Sequence, residues 1–158
     1  MRELILLRHA HAEPAPEGQP DLDRPLSPDG LAEAAAAGRW LAEQGLVPDR
    51  VLCSPARRAR ETLEAVLEAI GYVDQRLEDR IYEATAGTLA ELADANREAE
   101  RLLLVGHNPG LERLSALMHS GQSGDYRGMP PASVVVLKLP VDASIEPGVA
   151  TLSAFWRP

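Results

Sequence analysis

The sequence has little cysteine, no long apolar run and a shortage of positive charge. One cysteine, Cys53, among 158 residues excludes an internal disulfide framework and argues against a structural zinc site. Cys53 itself reads as a small buried hydrophobe. No stretch approaches the roughly 18 consecutive apolar residues of a membrane span. The apolar run near the N-terminus, Leu4 to Leu7, is too short for a secretory signal, and the expectation is a cytoplasmic protein with no membrane partner. A formal net charge of −8 argues against nucleic acid or an acidic membrane surface as partner. It still admits a small anion, because a local arginine cluster dominates the field inside a pocket. The signatures H-E-x-x-H, C-x-x-C and G-x-x-x-x-G-K-[ST] are also missing, so neither a metal site nor a P-loop is expected. With 45% hydrophobic and 25% charged residues, the composition is that of one globular domain over residues 1–158 with a sizeable core.

What is present is a set of buried-strand runs that end in chemistry. Leu4-Ile5-Leu6-Leu7 is followed at once by Arg8-His9. Four apolar residues in a row suit a strand buried on both faces of a parallel sheet. Leu102-Leu103-Leu104-Val105-Gly106 repeats the pattern and ends in His107, and Val51-Leu52-Cys53 ends in Ser54-Pro55 and a helix carrying Arg57, Arg58 and Arg60. The carboxyl edge of an open α/β sheet is where ligands bind. Three cap-plus-proline pairs, Ser27-Pro28, Ser54-Pro55 and Asn108-Pro109, predict helix starts. The first helix is expected to bury Leu31, Ala34, Ala35, Gly38, Leu41 and Ala42, and the second Ala59, Leu63, Val66 and Ile70. The third is expected to bury Leu111, Leu114, Leu117 and Met118. A short helix over 86–97, a possible strand at 75–77 and final strands at 134–139 and 149–155 complete the pattern. Segments 9–26 and 120–132, rich in glycine and proline, read as loops. The fold class is α/β: a three-layer α/β/α sandwich around a mostly parallel sheet.

The strand ends offer two imidazoles and several guanidiniums, a set suited to a phosphate. A neutral imidazole attacks phosphorus readily and forms a phosphoramidate that hydrolyses again. That role asks of His9 a free lone pair, an acceptor on its other nitrogen, and cations nearby, of which Arg8 is one. Arg58 falls in the first turn of its helix, where backbone N–H groups and the helix dipole already favour an anion, and a guanidinium holds two phosphoryl oxygens at once. Arg57 and Arg60 point elsewhere on the helical wheel and read as solvated charges. His107, beside another helix start, is placed to donate a hydrogen bond to a phosphoryl oxygen. His11 and His119 are weaker candidates. A leaving group also needs a proton, and Asp79 and Glu83, in the segment Glu78-Asp79-Arg80-Ile81-Tyr82-Glu83, are the candidate acids.

These residues form a familiar series. Leu6-Leu7-Arg8-His9-Ala10, Leu26-Ser27-Pro28-Asp29-Gly30, Ser54-Pro55-Ala56-Arg57-Arg58-Ala59-Arg60-Glu61-Thr62 and Val105-Gly106-His107-Asn108-Pro109 resemble, in order, the signature blocks of the histidine phosphatase superfamily. Short length and the L-L-R-H-A and G-H-N-P blocks resemble its SixA-type phosphohistidine phosphatases. The resemblance implies a phosphoglycerate mutase-like fold and no metal or organic cofactor. It implies His9 as the phosphorylated nucleophile, with Arg8, Arg58 and His107 as the phosphate pocket. Larger branches carry a glutamate on a central insertion, roughly where Asp79 and Glu83 lie. The expected activity is phosphohydrolysis through a phospho-His9 intermediate, on a phosphohistidine of a partner protein. The alternatives are a small phosphate ester as substrate, or a phosphate-binding module without turnover.

Overall fold

The computed structural model describes residues 1–121 and 128–158. Six strands form one sheet: β1 (Arg2–Arg8), β2 (Arg50–Cys53), β3 (Asp74–Leu77), β4 (Arg101–Gly106), β5 (Val134–Leu139) and β6 (Thr151–Trp156). Their order is β3-β2-β4-β1-β5-β6. The pairings of β3 with β2, β2 with β4 and β4 with β1 are parallel, and β5 and β6 extend the β1 edge antiparallel. Four helices, α1 (Pro28–Glu43), α2 (Arg57–Ile70), α3 (Ala86–Ala95) and α4 (Gly110–Ser120), connect the strands.

Side-chain alternation along the strands divides the core into two layers. Leu4, Leu6, Leu52, Leu102, Leu104, Val135 and Leu137 face α3 and α4, where Leu89, Leu92, Leu111, Leu114 and Met118 cover them. Ile5, Leu7, Val51, Cys53, Leu103, Val105, Val134 and Val136 face α1 and α2 and pack against Ala37, Leu41, Ala59, Leu63 and Val66. The apolar runs of β1 and β4 are continuous because both faces of the sheet are covered, as expected. Cys53 is a free thiol inside the second layer, and burial pushes it up to about 12.

Three expectations are corrected. The buried face of α1 is Gly30, Ala34, Ala37, Gly38 and Leu41, whereas Leu31 is 51% exposed and Ala42 is exposed. The helix is rotated so that Gly30 lies under the backbone of His11, where a Cβ would stand 2.0 Å from the His11 carbonyl oxygen. Ser54 is not a helix cap: α2 begins at Arg57, with Ala56 at the cap position. Nor does Asn108 cap α4, which begins at Gly110 behind a cis Asn108–Pro109 peptide. In both cases the polar side chain is engaged inside the site described below. Ser27, by contrast, caps α1 through Oγ, which accepts from Gly30 N at 3.0 Å. Of the loop expected at 120–132, Ser120 closes α4, residues 128–132 are loop, and residues 122–127 lie outside the described residues.

Candidate active site

His9 follows β1 directly and His107 follows β4. Because these strands are parallel neighbours, with Arg8 opposite Gly106, the two imidazoles emerge side by side, ring centroids 5.2 Å apart. His9 N donates to Gly106 O at 3.0 Å and His9 O accepts from Ala132 N at 3.1 Å. The nucleophile candidate is therefore held by backbone on both sides.

Hydrogen bonding holds both rings. His9 Nδ1 lies 2.8 Å from the carbonyl oxygen of Ala10. A carbonyl only accepts, so Nδ1 carries the hydrogen and Nε2 keeps its lone pair. The Ala10 peptide is itself tethered, since Ala10 N donates to Thr62 Oγ1 at 3.0 Å and Thr62 donates to Arg58 O at 2.7 Å. His107 Nε2 lies 2.7 Å from Ser54 Oγ. Ser54 Oγ also accepts from Ala56 N at 3.2 Å, so one buried hydroxyl ties the His107 ring to the backbone ahead of α2. His107 Nδ1 is buried with no partner among the described residues. Burial, with the charges of Arg58 and Arg8 adding to it, pushes His9 down to about 3, against the hydrogen bond to Ala10. Burial first and the Arg58 charge second push His107 down to about 4. Both imidazoles are therefore neutral at pH 7, and His9 keeps a lone pair on Nε2.

The guanidiniums flank them. Arg8 Nη1 donates to Met129 O at 2.8 Å, and Asn108 Nδ2 donates to the same oxygen at 2.7 Å. Arg58, in the first turn of α2, donates from Nη1 to Asp21 O at 3.0 Å and from Nη2 to Asp21 Oδ2 at 3.1 Å. The Nε atoms of Arg8 and Arg58 are buried without a protein partner. Arg8, Arg58 and His107 line the same pocket as His9. Arg57 turns away to pair with Glu61 at 3.2 Å, and Arg60 is exposed.

The site opens into a pocket of about 620 Å³, lined by Arg8, His9, Arg58 and His107 at the floor and by Asp21, Tyr82, Glu83 and Arg113 among others at the rim. Glu83 lines this pocket with a left-handed backbone, φ 59°, an uncommon state for a residue with a Cβ. Asp79 does not line it. Asp79 is exposed and opens a 3-10 turn over Asp79–Ile81, in which its carbonyl accepts from Tyr82 N, so the turn directs Glu83 rather than Asp79 to the pocket. His11 lines the pocket, but its Nδ1 is taken up by Ser27 Oγ at 2.7 Å. His119 bonds to Ser115 O on α4, outside the pocket. Among the described residues, no group of three or more His, Cys, Asp or Glu is placed to hold a metal ion, and no helix is long and apolar enough to cross a membrane.

Sequence reasoning missed Asp21, Tyr82 and the function of Ser54. The Tyr82 hydroxyl donates to Asp21 Oδ2 at 2.6 Å, and its ring meets that of His107 edge-on, with centroids 5.7 Å apart. That hydrogen bond raises Tyr82, while Tyr82 first and Arg58 after it hold the Asp21 carboxyl below its ordinary range, against a burial cost. No local pattern announces a contact between residues 61 positions apart.

Two neutral imidazoles and two guanidiniums thus share one pocket at the sheet's carboxyl edge, a set chemically suited to an oxyanion. Residues 4–123 match the histidine phosphatase superfamily, branch 1, and the chain belongs to that family. An uncharacterized protein of Mycobacterium tuberculosis is 37% identical over 164 residues, covering 96% of this chain and 99% of its own. The proposed phosphohistidine phosphatase SixA of Agrobacterium tumefaciens is 31% identical with a TM-score of 0.86, over 99% of this chain and 98% of that one. A mycobacterial glucosyl-3-phosphoglycerate phosphatase shares the fold, with a TM-score of 0.72 at 20% identity over 99% of both chains. The chain is a phosphatase of the SixA type.

Proposed function

We propose that the protein hydrolyses phosphohistidine on a partner protein through a phospho-His9 intermediate. The observation that carries this reading is the fixed tautomer of His9, whose Nδ1–H is held by Ala10 O, which leaves the lone pair on Nε2 in the pocket. In the first step Nε2 attacks phosphorus in line, a P–N bond forms to His9, and the P–N bond to the substrate imidazole, protonated on its other ring nitrogen, breaks so that neutral imidazole departs. In the second step water attacks phosphorus, the bond to His9 breaks and inorganic phosphate leaves. Arg8, Arg58 and His107 stabilise the equatorial oxygens in both steps, which is where most of the rate arises in phosphoryl transfer.

The carboxyls at the pocket favour an imidazole leaving group. Asp21 is held ionised by Tyr82 and Arg58, so it does not serve as a proton donor at neutral pH. Glu83 remains as the acid, and it is exposed. An alkoxide leaving group depends strongly on a buried acid, whereas an imidazole leaves with little help. The likeness to the Agrobacterium SixA structure along the full chain supports the same reading. A pocket of about 620 Å³ also accommodates a small ester, and the shared fold of a sugar-acid phosphatase makes such esters the second reading.

Phosphate release from a phosphohistidine peptide and from a panel of small phosphate monoesters, with His9→Ala as control, decides between them. Fast, His9-dependent release from the peptide alone is the expected result. Preference for one small ester moves the substrate while keeping the chemistry. Phosphate binding with no release from either would leave a binding module.

A further inference from the structure

The Arg58 guanidinium is only partly engaged. Of its five N–H donors, one on Nη1 goes to the Asp21 carbonyl and one on Nη2 to the Asp21 carboxylate, while Nε is buried without a protein partner. Asp21 therefore engages one hydrogen on each Nη and leaves the second hydrogen of each for a phosphoryl oxygen in the pocket that Arg58 lines. Asp21 is fixed in turn. It opens the 3-10 turn Asp21–Asp23 behind Pro20, its Oδ2 receives the Tyr82 hydroxyl at 2.6 Å, and Arg24 Nη1 lies 3.6 Å from its Oδ1. Tyr82 stands just beyond the turn Asp79–Ile81, and its ring lies 6.0 Å from the centre of the Arg58 guanidinium.

We infer that the hydrogen-bonded pair Asp21 and Tyr82 is a clasp in the pocket wall that positions Arg58 for the phosphoryl group. Asp21 is thus a positioning residue, acting through Arg58, and Tyr82 acts through Asp21. The pair adds little to global stability, because the Asp21 side chain is half-exposed and ion pairs of that kind contribute little. Its value is geometric, since a guanidinium displaced by about 1 Å loses much of its benefit in the transition state.

The inference rests on Arg58 as a phosphoryl ligand, and a double-mutant cycle separates the two claims. The variants are Asp21→Ala, Asp21→Asn, Tyr82→Phe, Arg58→Ala and the Asp21→Ala/Arg58→Ala pair. The readouts are kcat/KM on a phosphohistidine peptide and on a generic aryl phosphate, the affinity for inorganic phosphate, and the urea midpoint. Asp21→Ala is expected to lower kcat/KM on whichever substrate is turned over by about tenfold, to weaken phosphate binding severalfold and to leave the urea midpoint in place. In the Arg58→Ala background the same substitution should cost less than about twofold, the signature of coupling through one partner. Asp21→Asn keeps the carbonyl acceptor and should retain most activity. Tyr82→Phe keeps the ring against His107 and should lose about threefold, carrying the test if Asp21→Ala fails to fold. Equal losses from Asp21→Ala in both backgrounds, an Asn variant as impaired as Ala, or a Tyr82→Phe variant at wild-type rate would each overturn the clasp. If Arg58→Ala itself keeps wild-type phosphate affinity, the assignment of Arg58 fails instead.

Discussion

On the floor of the pocket, Arg8, His9 and His107 stand at or just past the ends of β1 and β4, where backbone carbonyls hold the side chains of Arg8 and His9 and the buried Ser54 hydroxyl holds His107. On the rim, Asp21, Tyr82 and Glu83 stand on or beside short 3-10 turns, half-buried or exposed, and Asp21 and Tyr82 hold each other across 61 positions of sequence. The floor takes its order from the sheet: parallel pairing alone brings His9 beside His107. The rim has no such frame and depends on a few side-chain bonds. The floor is therefore held by the sheet itself, whereas the rim is held by side-chain bonds that single substitutions can remove.

The largest expected effect breaks the floor. His9→Ala removes the lone pair that attacks phosphorus and should lower turnover by more than about 10³-fold, on the scale seen for loss of a nucleophile. Steady-state phosphate release checks this, and a variant with unaltered far-UV spectra excludes unfolding as the cause.

A second test uses acid. His9 and His107 sit at about 3 and about 4 in the folded protein, below the ordinary 6.5 or so that an unfolded histidine has. Below that value the unfolded chain binds protons the folded protein refuses. The two rings' contribution to stability is therefore complete above about pH 6.5 and is lost as pH falls towards 4 and then 3, with a slope approaching about 1.4 kcal/mol per pH unit for each. Urea midpoints at pH 7.5, 5.5 and 4.5 should fall steeply for the wild type and less steeply for His107→Gln. Parallel curves would mean that burial does not depress this ring.

Ser54→Ala sharpens the contrast by disturbing the floor without removing a reacting group. The variant leaves His107 Nε2 without its hydroxyl partner, frees the ring to exchange tautomers, and should lower kcat/KM by about tenfold, or about 1.4 kcal/mol. Nitrogen-15 chemical shifts of the His107 ring report the tautomer directly. The smallest effect belongs to the rim. Glu83→Gln should change kcat/KM on a phosphohistidine peptide by less than about threefold, and on an alkyl phosphate by more, since only the alkoxide needs a strong acid. Equal losses on both substrates would give Glu83 a role on the floor.

The same division governs what the sequence discloses. β1, β4 and β5 are evident from continuous apolar runs, and Arg8, His9 and His107 follow because each lies within a residue or two of a strand end. Arg58 is evident from its helical turn. Ser54 and Asn108 mislead, because each precedes a proline and resembles a cap. In the structure Ser54 Oγ bonds Ala56 N and His107, and Asn108 Nδ2 bonds Met129 O. Asp21 and Tyr82 leave no local trace, for their bond spans 61 positions. The face of α1 is misjudged by one step of the helix because contact with the His11 backbone, not hydrophobicity, fixes Gly30 inward. Between Asp79 and Glu83, only the 3-10 turn decides which carboxylate reaches the pocket.

The most direct test is to catch the phosphoryl group in transit. Enzyme in excess is mixed with a phosphorus-32-labelled phosphohistidine peptide and quenched within milliseconds in alkaline denaturant, where P–N bonds survive. Peptide mapping and phosphorus-31 spectra then locate the label. Phosphorylation of His9 at Nε2, rising and decaying within one turnover and absent from His9→Ala, is the expected result. Turnover with no labelled protein, or label on any other residue, would contradict His9 as the group that carries the phosphoryl.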